Sequence, residues 1–99
     1  MAGILLVSYP VTEGARFDRA YYTDTHMPLV KEKWGPLGLT DALALFPDDD
    51  APAAVAVAVL TFTDGAVRDA AMSAPVAAEV FGDVPNFTTI SPAAQRLTG

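Results

Sequence analysis

Short β-branched and aromatic runs alternate along this chain with stretches that open on a capping carboxylate. Ile4 to Tyr9 is an apolar run stopped by Pro10, and its length favours a strand over a helix. Asp18 stands where an N-cap carboxylate accepts bonds from the free amides of a helix starting near Arg19. Pro28 lacks an N–H, crowds the Asp24 carbonyl and pushes Met27 away from helical angles. The spacing therefore predicts a kink or a restart there, with a second segment running to about Trp34 before Gly35-Pro36. Leu39 to Phe46 reads as a second strand and Ala54 to Phe62, with its alternating Ala and Val, as a third; the charged turn Pro47 to Pro52 makes them a hairpin. Asp64 caps a helix from Gly65 to about Met72, and Pro75 opens further helical turns up to Phe81-Gly82, where glycine suits a left-handed exit. Asp83 to Ile90 reads as an ordered loop and Ala93 to Thr98 as a closing strand.

The resulting order, β-α-β-β-α-β, fits one α+β domain spanning residues 1–99: a ferredoxin-like antiparallel sheet with both helices on one face. The first and third strands are then central, and Asp41 and Arg96 fall on the edges. In the third strand Val55, Val57 and Val59 point one way and Ala54, Ala56, Ala58 and Leu60 the other, so both sheet faces are apolar. Helices cover only one of them. An uncovered face of several hundred Å² forfeits many kcal/mol at ~25 cal/mol per Å², which predicts a homodimer paired through the sheet face. The simpler alternative is a monomer whose Ala–Val alternation has no partner.

Composition narrows the function classes. Of 99 residues, 52% are apolar and 18% charged, so the whole chain should fold. Twelve acidic against six basic residues give a net charge of −6, which repels phosphate backbones and anionic bilayers; neither nucleic acid nor membrane is an expected partner. There is no cysteine, hence no disulfide, thiolate nucleophile or zinc-thiolate site. The run Ala51 to Thr63 is too short for a membrane span, and Met1-Ala2-Gly3 carries no basic residue of a secretory signal. A cytoplasmic location is the expectation.

His26 is the only histidine and the natural candidate for proton transfer near neutrality. On a continuous helix Tyr22 lies four residues before it and Asp18 eight, which places a phenol, a carboxylate and an imidazole on one stripe. Such a set can act on a carbonyl or phenolic substrate, with His26 as base and Tyr22 donating to developing oxyanion charge. A lone histidine beside a helix break is more often a structural group bonded to a backbone carbonyl. One imidazole with scattered carboxylates lacks the spacing of a metal site, and no cofactor is called for. Trp34, Phe46, Phe62, Phe81 and Phe87 can line a pocket for a flat apolar ligand or simply pack the core. Asn86 either braces its own turn or reaches a ligand. The Asp48-Asp49-Asp50 run reads as a solvated hairpin tip.

Two blocks carry a family resemblance: Phe17-Asp18-x-x-Tyr21-Tyr22-x-x-x-His26-Met27-Pro28-Leu29-Val30 and Asp83-Val84-Pro85-Asn86-Phe87-Thr88-x-Ile90-x-Pro92. They resemble the two signature blocks of the EthD family, and the similarity of Tyr9-Pro10 and Gly14-Ala15-Arg16 extends it over nearly the whole chain. The resemblance implies a dimeric α+β barrel, in which two ferredoxin-like subunits pair through their sheets and each keeps a cleft between sheet and helices. It implies no single reaction. The family is named for ethyl tert-butyl ether degradation, where its member accompanies an oxygenase system; similar proteins look like decarboxylases or dehydratases of aromatic compounds, and neighbouring families include isomerases. On that likeness Tyr22 and His26 inherit the catalytic role and Asn86 and Phe87 become cleft residues; with Trp34 and Phe46 from the aromatic complement they would bind a small hydrophobic molecule. An accessory or carrier protein is the second reading.

Overall fold

The computed structural model describes residues 1–99. Strand β1 (Gly3–Pro10) leads into helix α1 (Arg19–Tyr21), a π-helical turn (Tyr22–His26) and helix α2 (Met27–Trp34), which run on without interruption. A 3₁₀ turn (Gly35–Leu37) delivers the chain to β2 (Leu39–Leu45) and β3 (Ala54–Phe62). Helices α3 (Gly65–Ser73) and α4 (Ala77–Gly82), a second 3₁₀ turn (Val84–Asn86) and β4 (Ala93–Thr98) complete it. The sheet order is β2-β3-β1-β4 with every pairing antiparallel, which is the ferredoxin-like arrangement with β1 and β3 central.

Alternation decides which side chains meet the helices. Leu5, Val7 and Tyr9 of β1 and Ala56, Ala58, Leu60 and Phe62 of β3 are buried under α2, α3 and α4, together with Trp34, Val30, Ala71 and Val80. The other face carries Ile4, Leu6, Val57 and Val59, flanked by Leu43 and Leu45 of β2 and Leu97 of β4, and has no cover in the chain. Leu43 and Leu45 are about half exposed, at 48% and 49%.

Local signals act as the sequence predicts, with two differences. Asp18 accepts from the Tyr21 amide at 3.1 Å and Asp64 from the Val67 amide at 2.8 Å, capping their helices. Pro28 sits in the first turn of α2, yet Met27 keeps helical angles (φ −63°, ψ −42°). The Met27 N–H bonds the Tyr22 carbonyl five residues back, and that wider turn makes room for the proline ring where a regular helix would have broken. Gly82 closes α4 in the ordinary helical hand; the left-handed exit falls instead at Gly38 (φ +110°), where the chain must turn sharply into β2. A β-carbon at Gly38 would also collide with Val67 Cγ1.

Candidate functional site

The π turn widens the helix between Tyr22 and His26 and lays their rings nearly parallel, with centroids 5.8 Å apart and planes at 17°. Both side chains are buried between sheet and helices. Asp18 does not join them: its carboxylate is used as the exposed cap at the head of α1. The carboxylate that meets His26 is Asp83, from just beyond α4, whose Oδ2 lies 2.9 Å from His26 Nδ1. Asp83 Oδ1 accepts from the Tyr21 hydroxyl at 2.7 Å and from the Asn86 amide at 2.9 Å. Three side chains from two distant segments thus converge on one carboxylate.

A carboxylate can only accept, so the shared proton sits on Nδ1 and leaves the Nε2 lone pair free. Burial pulls the imidazole below its ordinary pKa, and the Asp83 hydrogen bond and charge offset this only in part. Burial raises the Asp83 carboxyl, but the bonds from Asn86, Tyr21 and His26 outweigh it and hold the group below its ordinary value. Near neutrality the pair is therefore a neutral imidazole donating to a charged carboxylate. Burial pushes the Tyr22 phenol well above its ordinary pKa, so its hydroxyl remains a donor. That hydroxyl is also the one buried side-chain polar atom without a hydrogen-bond partner.

Tyr22 and His26 border one internal cavity of ≈ 20 Å³, room for about one water. Trp34, Met27 and Val30 of α2, Val7, Ala58 and Leu60 of the sheet, and Phe81 and Val84 are among its other walls. Trp34 is fully buried and its indole N–H is already satisfied by the Ala71 carbonyl at 3.0 Å, which leaves its ring face for the cavity. Phe87 is also fully buried but lies behind His26, 4.7 Å from the imidazole and packed edge-on or tilted against Tyr9, Phe17 and Tyr22. Phe46 touches the edge of Tyr22 at 6.0 Å, under the Arg19 guanidinium, and lines the outer groove beside the hairpin rather than the cavity. Asn86 is exposed and braces Asp83. No group of three metal-ligating side chains comes together.

Asp83 and Tyr21 are the neighbours of this site to which sequence reasoning gave no role, whereas Phe81 was among the aromatics it offered as pocket-lining. Asp83 opens the second sequence block, but nothing local signals that it reaches a histidine 57 positions away.

A four-stranded antiparallel sheet of this order with its helices on one face defines an α+β protein of ferredoxin-like fold. No protein-family model matches the sequence, and no match was found among curated proteins. Among solved structures, an EthD-like protein from Ralstonia eutropha JMP134 is 37% identical, with a TM-score of 0.82 over 97% of this chain and 89% of that one. The chain belongs to the EthD family. An EthD family protein from Bacillus halodurans C-125 shares the fold at 17% identity (TM-score 0.72; 99% of this chain and 100% of that one). So does a dimeric ferredoxin-like protein of unknown function from Jannaschia sp. CCS1, at 20% identity (TM-score 0.70; 100% of both chains).

Proposed function

We propose that the protein is an acid–base enzyme for a small hydrophobic or aromatic molecule carrying a carbonyl or hydroxyl oxygen. The observation that carries this is His26, oriented through Nδ1 by Asp83, lining the same cavity as Tyr22, whose buried hydroxyl has no partner. His26 Nε2 takes a proton from a carbon next to the ligand's carbonyl, and the Tyr22 hydroxyl donates to the enolate oxygen that forms. An unpartnered buried hydroxyl costs about 1–3 kcal/mol, which a ligand oxygen would return on binding. Decarboxylation, dehydration and isomerisation all pass through such a stabilised oxyanion, so the arrangement suits each of them. Trp34 and the aliphatic walls take the apolar body once the cavity, which holds about one water when closed, has widened; Phe87 and Asn86 hold His26 and Asp83 from behind, and Phe46 supports Tyr22.

The apolar sheet face supports a homodimer closed over Ile4, Leu6, Val57 and Val59, as the dimeric description of the Jannaschia protein suggests. No helix is long and apolar enough to cross a membrane.

The test is hydrogen–deuterium exchange at the carbon next to the carbonyl of a series of aromatic ketones, followed by NMR. His26→Gln should lower the catalysed rate by about 10²-fold or more. An unchanged rate would overturn the enzyme reading. The small, almost wholly apolar cavity favours a second reading, a binding or accessory protein for an oxygenase system, under which His26→Gln leaves ligand affinity unaltered.

A further inference from the structure

The internal cavity has one weak wall. Of the residues that line it, Phe81 alone is exposed, at 38%, while the others are buried. On its far side lies an open cleft of ≈ 550 Å³ between α4 and the segment leading to β4, lined by Phe81, Val84, Pro85, Thr88, Ile90 and Pro92 among others. Phe81 and Val84 are thus shared walls, with closed space behind them and open space in front.

The two differ in how they are held. The Val84 carbonyl accepts from the Phe87 and Thr88 amides at 3.1 Å each, which fixes the turn that carries it. Phe81 rests edge-on against Trp34, with centroids 5.8 Å apart and planes at 71°, and this is its sole aromatic contact. It projects from a helix of six residues, Ala77–Gly82. An aromatic ring that is partly solvated on a short helix turns about its side-chain bonds more readily than one locked in the core. The cleft in front suits an approaching apolar molecule with one oxygen: its prolines and Ile90 offer apolar surface, and Thr89 and Ser91 offer hydroxyls.

We propose that Phe81 is the specificity-determining gate of the site: its ring rests against Trp34 when the site is empty and swings aside to join the one-water cavity to the cleft, so that a ligand can enter. This rests on the cavity being the ligand site described above. The cleft is the vestibule, and the size of the side chain at position 81 sets how fast, and how bulky, a molecule can pass.

Trp34 is the only tryptophan and lines the cavity, so its emission reports what enters. The experiment compares the wild type with Phe81→Leu, Phe81→Ala and a control, Leu37→Ala, whose residue is similarly exposed at 40% but touches neither space. Trp34 emission is followed under acrylamide and, in stopped flow, under 4-nitrophenol. Quenching by acrylamide should rise from Phe to Leu to Ala at position 81 and stay at the wild-type level in the control. Association and dissociation of 4-nitrophenol should both quicken, by about tenfold in Phe81→Ala, with the dissociation constant nearly unchanged. Equal rates across the series, or a change confined to dissociation, would overturn the gate even though binding stands. Acrylamide quenching that rises while no variant binds 4-nitrophenol would keep Phe81 as the cover and remove the ligand reading instead. Phe81→Leu, the milder truncation, gives the same answer if Phe81→Ala does not fold.

Discussion

At the scale of residues, the pair His26 and Asp83 sets a pH dependence whose sign follows from burial. Both groups bind a proton less readily in the folded protein than in the unfolded chain, so unfolding takes up protons and stability rises with pH. His26 begins to cost stability as the pH drops below the ordinary histidine value of 6.5. The Asp83 contribution is complete above the ordinary carboxylate value of 3.8 and is lost as the pH falls through its lowered native value. Thermal melts between pH 8 and 4 should therefore show a falling Tm that sets in near the histidine range, and His26→Gln should remove that upper portion of the fall. Asp83→Asn keeps an acceptor for Nδ1 but removes the charge, so the His26 pKa should drop further, as read from its ring protons by NMR. Tyr22→Phe should leave stability unchanged or raise it by about 1 kcal/mol, because it deletes a buried donor that has no acceptor, while weakening ligand binding. His26 and Tyr22 were legible as candidates because one is the sole imidazole and their spacing puts them on one helix face. Asp83 was not, since residue type and helical period carry no information about a partner contributed by the far end of the chain.

At the scale of elements, the π turn spans Tyr22 to His26, and within it their rings stack at 17° with the imidazole bonded to Asp83. It contains one residue more than a regular turn would, and Thr23 within it is exposed. Deleting Thr23 should convert the segment to an ordinary α-helix and rotate the two rings out of register. Helical content by circular dichroism should hold, while binding of 4-nitrophenol is lost. Binding that survives would separate the site from the turn. The sequence signalled a disturbance here through Pro28 but not its form, because proline marks where an amide is missing and leaves open whether the helix kinks, restarts or widens. Strand boundaries fared better. Ala54 to Phe62 lies where alternation and turn residues put it, since a period of two on a half-buried ribbon is a strong constraint, and Ala93 to Thr98 also forms the closing strand although it is exposed throughout.

At the scale of the whole molecule, the proposal of a second copy over the sheet depends on which residues of β3 face outward, and these are Val57 and Val59, with Ala56 and Ala58 buried beneath the helices. Val57→Asp should convert a dimer to a monomer in sedimentation at micromolar concentration, because an unpaired carboxylate cannot be desolvated against an apolar partner. A monomeric wild type would remove the assembly. The alternation of Ala and Val made two apolar faces visible in the sequence, and their depth did not need to be known for that.

Arg68 has a different consequence. It is buried at 6% exposure on α3, and its Nη1 donates to the carbonyls of Ile4 at 3.2 Å and Leu97 at 2.8 Å, which lie opposite each other in β1 and β4. All six residues of β4 are solvent-facing, so that ribbon brings little grease of its own to the seam. The guanidinium is a rivet through the rim of the sheet: without it the tail end of the chain should unzip first and leave the remaining three strands intact.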